Sequence, residues 1–357
     1  MKKHMYLAIC VAVSLSLVPL CMYNGTAQAS GKTGASQLSV DEMQTESKTE
    51  AESESESESE SESIASETTR KDESEDKPEQ ICVYLSDEKK AVTLPLRDYI
   101  IGVVAAEMPA AYEVEALKAQ AAASITLARR KMQAQTPPAE LDGAVITTNS
   151  KKDQGYMSVE KMRERWGEDF EVYYEKIASA VDEVYCCSIE YEGEPIIAAF
   201  HAISTGITEC AENVWAEKKD YLVSVESEGD CLSATYESTL SLSGESLEKY
   251  LFDATGFKAR GEESGWIGEC RYTDAGTLIS AEICGEEFTG ASLREILSLR
   301  SAAIEIEYKN EEFVFTVRGY GHGVGLSQYG ADYYARQGFT WQEIIAHYYP
   351  GTQIAEI

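Results

Sequence analysis

Two stretches of this 357-residue chain hold residue types that can do chemistry, at spacings that matter. The first is Asp98-Tyr-Ile-Ile-Gly-Val-Val-Ala-Ala-Glu107-Met-Pro109. Proline disfavours helical geometry at the residue before it, so Met108 should leave the helix and Glu107 should be its last residue. The unpaired carbonyls of a helix end carry partial negative charge, and Val103, Val104, Ala106 and Met108 would strip water from the carboxyl. Both effects disfavour the carboxylate. A carboxylic acid still protonated near neutrality can deliver a proton to a leaving oxygen, as glycosidic cleavage requires.

The second stretch is Arg318-Gly-Tyr320-Gly-His322-Gly-Val-Gly-Leu-Ser327-Gln328-Tyr329-Gly-Ala331. Its alternating glycines let the backbone approach a ligand closely. It lacks the G-x-G-x-x-G register of a dinucleotide site, and no Gly-Lys-Ser/Thr follows, so it does not read as a phosphate cradle. Tyr320, His322, Ser327 and Gln328 instead supply donors, acceptors and a stacking face suited to a sugar. The plainer reading is a glycine-rich turn that positions strands. Beyond residue 22 there are seven cysteines, an odd number with no C-x-x-C pair. His201, Cys210 and Cys231 are too irregularly spaced for a closed zinc site, so no metal or other cofactor is expected.

The elements that must position these residues follow from hydrophobic periodicity. Ile81–Leu85 and Ala91–Leu94 alternate as strands, and 99–106 and 113–132 show helical spacing. Helices are also expected over 158–166 and 169–185, with a hairpin of 188–191 and 195–202 around Glu192-Gly193-Glu194. Strand patterns at 278–284, 303–308 and 312–318 dominate further on, interrupted by helices near 246–254 and 292–299. Thr340-Trp-Gln-Glu343 has capping-box spacing and should start a last helix. The expectation is an α+β class: a helical, groove-forming core with mixed short sheets and a more β-rich inserted subdomain near 220–318.

Charge and composition bound the rest. There are 31 basic and 62 acidic residues, net −31, with no basic cluster, which argues against nucleic acid as a partner. Residues 41–80 carry 16 acids and 4 bases, including six successive Glu-Ser units from Glu52 to Ser63. Residues 30–80 therefore read as a disordered, solvated tether. Residues 81–357 retain 24 basic and 46 acidic residues, net −22, and form the one folded body. Lys2 and Lys3 followed by an uncharged run to Met22 form an export signal over residues 1–29, either cleaved after Ala27-Gln-Ala29 or kept as a membrane anchor. The body is thus expected on the extracytoplasmic side, secreted or anchored.

Five blocks in order carry a resemblance that periodicity does not supply. They are Leu94-Pro-Leu-Arg-Asp-Tyr-Ile-Ile-Gly-Val-Val-Ala-Ala-Glu107-Met-Pro, Glu115-Ala-Leu-Lys-Ala-Gln120-Ala, Phe200-His201, Gly321-His-Gly-Val-Gly-Leu-Ser-Gln-Tyr-Gly-Ala, and His347-Tyr-Tyr-Pro-Gly-Thr. Together they span about Leu94 to Ile354 and resemble the stage II sporulation protein D family, which includes the amidase enhancers of vegetative wall turnover. The resemblance implies a peptidoglycan lytic transglycosylase acting on peptide-stripped glycan strands, with the catalytic glutamate at Glu107. It implies cleavage of the MurNAc-GlcNAc bond to a 1,6-anhydro-MurNAc product during engulfment, with His201, Ser204, Tyr320, His322, Ser327 and Gln328 in the glycan groove. The implied partners are the glycan strands, a cell-wall amidase of the stage II sporulation protein P type, and septal membrane proteins.

This chain departs from the family pattern at two places. Where the family reads Ala-Val-Ala-Ala-Arg-Thr-Tyr after Gln120, this chain reads Ala121-Ala-Ala-Ser124-Ile125-Thr126-Leu127, so an expected arginine is isoleucine. Phe-His-Ser-Thr-Ser-Gly-Gly becomes Phe200-His-Ala-Ile-Ser204-Thr-Gly206, and Ile207 and Asn213 stand where some relatives place zinc-binding cysteines. The alternative function is a non-catalytic, glycan-binding enhancer of a cell-wall amidase.

Overall fold

The computed structural model describes residues 78–134 and 137–357; the expected export signal and the expected tether up to residue 77 lie outside the described residues. Strands β1 (Gln80–Leu85) and β2 (Lys90–Pro95) pair antiparallel from Gln80↔Pro95 to Leu85↔Lys90. Gln80 is thus already in the first strand. The chain passes straight from Pro95 into helix α1 (Leu96–Glu107), which is buried almost throughout from Leu96 to Ala105. Helix α2 (Val114–Met132) is buried continuously from Ala119 to Ala128. Its run of alanines lets other elements come close, and α2 packs against most of the helices of this core. Strand β3 (Ile146–Thr147) adds in parallel to β1. Helix α3 (Val159–Trp166) starts at a Ser158 cap, and helix α4 (Phe170–Val184) lays an amphipathic face on α2.

Strand β4 (Cys187–Tyr191) is fastened to α2 by the Ile189 N–H donating to Thr126 Oγ1 at 3.0 Å. The expected hairpin forms only in part. Strand β5 (Glu194–Pro195) pairs with β4 for two residues, and the strand expected through Ala202 breaks off there. Pro195 has no N–H to continue a ladder, and Ile196, Ala198 and Phe200 turn into the core. Strand β6 (Phe200–His201) then finds another partner from the far end of the chain. A short helix α5 (Ala211–Trp215) follows.

The β-rich portion comprises β7 (Glu237–Leu242), α6 (Gly244–Thr255), β8 (Ile267–Tyr272), β9 (Leu278–Ile283), β10 (Glu286–Thr289), α7 (Gly290–Ile296), β11 (Ala303–Lys309) and β12 (Glu312–Arg318). They make two three-stranded sheets, in orders β11-β12-β7 and β10-β9-β8. Alternation puts Phe313, Phe315 and Val317 inward, where they join Leu247, Leu251, Trp266 and Leu278 in a hydrophobic cluster separate from that of the helical core. Trp266 stacks on Phe313 at 5.2 Å. Tyr221 and Leu222 belong to the helical core's cluster.

The chain then returns to the helical core. Strand β13 (Leu326–Ser327) pairs in parallel with β6, placing Leu326 beside Phe200 and Ser327 beside His201. Helix α8 (Gln328–Arg336) follows at once, and helix α9 (Trp341–Tyr348) opens with the full Thr340/Glu343 capping box. Strand β14 (Gln353–Glu356) closes the free edge of β4. Helices and short mixed sheets together make this an α+β protein.

Candidate active site

Helix α1 ends at Glu107, as Pro109 requires: Met108 is extended at φ −122°, ψ 146°. This brings the carboxyl to the base of α1 with only 8% of the residue exposed. Two N–H donors hold it. The Gly155 backbone donates to Oε1, and Gln328 Nε2 donates to Oε2 at 3.4 Å. A Cβ at position 155 would stand 3.0 Å from Oε1, which leaves no slack for a side chain there. The second proton of the Gln328 amide goes to Gln120 Oε1 at 3.2 Å, and Gln120 donates to Ser124 at 3.1 Å. Burial raises the Glu107 pKa, while the two donors work against that rise because they favour the ionised form. No charged neighbour contributes to the shift. The arrangement suits a group that must hold a proton and then release it.

Gln328 is placed by its neighbours in sequence. Ser327 caps α8, accepting from the Gly330 N–H, and its hydroxyl donates to Asp230 Oδ1 at 2.8 Å. Asp230 lies in the 3-10 turn Glu228–Leu232 and is fully buried. Its other oxygen accepts from the Ser204 N–H at 2.7 Å and the Ser227 hydroxyl at 3.1 Å. Burial lifts its pKa against those hydrogen bonds. Ser204 and Ser327 were expected in the glycan groove; their polar atoms meet Asp230, tying the turn after β6 to the start of α8. Asp230 itself gave no signal in the sequence, being one acid among many.

The glycine-rich loop joins the two histidines. Gly321, at φ +116°, lies so close to His201 that a Cβ would come within 2.7 Å of the His201 Cβ. Both imidazoles engage Val324. His201 Nδ1 lies 3.1 Å from the Val324 carbonyl and must donate to it; the Val324 N–H donates to His322 Nδ1 at 3.0 Å. The ring centroids are 5.8 Å apart, and Trp215 lies 5.1 Å from His322. Burial keeps both neutral, holding His201 down at about 4 and His322 well below the usual imidazole range. Tyr320 forms a bridge with Ile203 and lies beneath the Arg300 guanidinium at 5.6 Å.

The structure therefore joins Glu107 directly to Gln328, and His201 to His322, with β13 beside β6 linking the two groups. A small, open cleft lies beside the loop, with Ser204, Thr205, Thr277, Ser301 and His322 among its walls; Glu107 and Gln328 lie outside it. Ile125 is buried in the helical core's cluster and presents no cation. The seven cysteines from Cys82 to Cys284 are unpaired.

The family profile described as "Stage II sporulation protein" matches residues 84–191. Stage II sporulation protein D of Bacillus subtilis (strain 168) is 36% identical over 280 residues, covering 78% of this chain and 80% of that protein. The protein of the same name from Bacillus amyloliquefaciens is 36% identical over 282 residues, 79% and 80% of the two chains. An "Amidase enhancer" of Bacillus subtilis (strain 168) is 25% identical over 305 residues, 71% of this chain and 40% of that one.

Proposed function

Since this chain belongs to the stage II sporulation protein D family, we propose that it is a peptidoglycan lytic transglycosylase with Glu107 as its acid and base. The observation that carries this reading is the Glu107 carboxyl, buried, raised in pKa, and held by Gly155 and Gln328 without a second carboxylate acting on it. Paired-carboxylate hydrolases need a second acid as nucleophile or water activator. A lytic transglycosylase needs one.

In the proposed reaction Glu107 gives its proton to the glycosidic oxygen between MurNAc C1 and GlcNAc. The resulting carboxylate is stabilised by the Gly155 and Gln328 N–H groups until it takes the proton of the MurNAc C6 hydroxyl. That oxygen attacks C1 as the C1–O bond breaks. The products are a 1,6-anhydro-MurNAc end and a strand beginning with GlcNAc, with Glu107 protonated again and no water consumed. His201, Tyr320 and His322 would contact the glycan from the loop side. An exported body, secreted or anchored, would meet strands already stripped by a cell-wall amidase, within a septal membrane assembly.

The test is mass analysis of fragments from peptide-free glycan. Anhydro-ended oligosaccharides should appear with the parent chain and disappear with Glu107→Gln; hydrolysed, reducing ends would refute the reading. The second reading, a glycan-binding enhancer of an amidase, is favoured by Ile125 in place of a cation and by the name of one relative. Stimulation of an amidase by Glu107→Gln at parental strength, with no anhydro product from either chain, would select it.

A further inference from the structure

The N–H that holds Glu107 Oε1 belongs to the backbone of Gly155, so where it points is set by the path of the chain on either side. That path is a strap, residues 153–157, laid along α1 and α2. Asp153 Oδ2 accepts from the Thr147 N–H at 2.9 Å, and Asp153 Oδ1 lies 2.6 Å from Lys131 Nζ in the last turn of α2. Gln154 is fully buried, and its amide N–H groups go to the Tyr99 hydroxyl at 3.4 Å and the Ser124 carbonyl at 3.5 Å. Tyr156 stacks on Tyr99 at 5.7 Å, and the Met157 N–H donates to the Gly102 carbonyl at 3.0 Å. Helix α1 makes room for the strap at Gly102, where a Cβ would come within 2.3 Å of the Tyr156 ring.

Asp153 is the charged member of this strap. The residue is only 4% exposed, yet both of its oxygens are engaged, one by a backbone N–H and one by an ammonium. A carboxylate shut from water is costly unless paired, and charge-assisted hydrogen bonds fix geometry more firmly than neutral ones. Thr147 lies in β3, which is carried on β1, and Lys131 reaches in from α2. Asp153 thus fastens the start of the strap to a sheet and to a helix at once, while the Met157 N–H fastens its end to α1. Gly155 lies between the two fastenings.

We propose that Asp153 is a positioning residue for Glu107: by its bonds to Thr147 and Lys131 it holds the strap so that the Gly155 N–H meets Glu107 Oε1. Its effect on the Glu107 carboxyl rests on this geometry; its effect on glycan cleavage rests also on the reading above. Asp153 acts through Gly155. The N–H it steadies favours the ionised carboxyl, so a strap released at its start leaves Glu107 with the Gln328 donor alone, and the acid keeps its proton to higher pH. A proton held too tightly is delivered to the leaving oxygen less readily, and the carboxylate formed by its departure is less well stabilised.

The test follows the Glu107 side-chain carboxyl by ¹³C NMR across pH in the full chain, its resonance assigned by its loss in Glu107→Gln, alongside the pH profile of cleavage of peptide-free glycan. Asp153→Ala should move the Glu107 titration up by about one pH unit, the worth of one hydrogen bond to a charged group. The alkaline limb of the cleavage profile should move with it, and kcat should fall while KM holds. Asp153→Asn should restore part of the shift, because its amide oxygen still accepts from Thr147. A merely structural role would lower the yield of folded protein and leave the titration and the limb in place. Should Asp153→Ala not fold, Lys131→Met decides: it keeps the bond to Thr147, frees the other oxygen, and should move the titration in the same direction by less. A Glu107 titration that stays at the parental pH, or falls, in the folded variant overturns the positioning role. Absence of cleavage by the parent at every pH overturns the catalytic reading instead, and the titration still decides the strap.

Discussion

Replacing Asp230 by alanine tests whether the buried carboxylate sets the start of α8. Three donors converge on it: the Ser204 N–H, the Ser227 hydroxyl and the Ser327 hydroxyl. Ser227 retains the Tyr348 hydroxyl at 2.7 Å as a partner, so its loss is small. The Ser204 N–H cannot turn away, and the Ser327 hydroxyl is enclosed at 0% exposure. Two stranded donors at about 1–3 kcal/mol each, partly offset by removal of a buried charge, give a loss of about 3 kcal/mol. Asp230→Asn should lose only about 1 kcal/mol, because the amide oxygen can accept from Ser204 while its NH₂ donates to the Ser327 oxygen. Urea denaturation followed by tryptophan fluorescence reads both. The same change frees Gln328 from its anchored position, so anhydro-product formation should fall with Asp230→Ala by more than the unfolded fraction explains. An alanine variant within about 1 kcal/mol of the parent, with unchanged product formation, would show that α8 is placed without Asp230.

Three further outcomes are expected. Glu107 has a folded-state pKa above its unfolded value, so its contribution to stability is complete below the ordinary glutamate range and is lost as pH rises through the folded value. Glu107→Gln should therefore gain stability over the parent as pH is raised, with no difference in acid, in parallel melting curves across pH. Gln328→Ala removes a donor that favours the carboxylate, so the alkaline limb of the cleavage profile should move to higher pH while the maximum rate falls; a limb moving to lower pH would contradict the assigned hydrogen bond. Phe315→Ala opens the separate cluster of the β-rich portion, where Phe315 is 0% exposed, and should cost about 3–5 kcal/mol by chemical denaturation.

What could be read from the chain was local. Pro109 dictated where α1 ends and hence where Glu107 sits, and the Thr340/Glu343 spacing dictated the entry to α9. The alternation of 312–318 was legible because Phe313, Phe315 and Val317 fall on one buried face, with the polar Glu312, Thr316 and Arg318 on the other. The 195–202 stretch misled because its apolar residues serve a core, and its true partner, β13, lies more than 120 residues on. Asp230 was hidden for a compositional reason: in a chain with 62 acids, one buried carboxylate looks like any surface one. Gln120 sits in a run of alanines; its amide N–H finds Ser124 within α2, but only the arrival of α8 gives its amide oxygen a partner in Gln328.

The hydrogen bond from Gln328 to Glu107 spans 221 positions. A ribosome finishes α1 long before it reaches the residue that steadies its terminal acid, and the β-rich portion must be threaded out in between. Until α8 is made, the acid at the end of α1 lacks one of its two donors, so the arrangement around it is complete only when nearly the whole chain is available to fold.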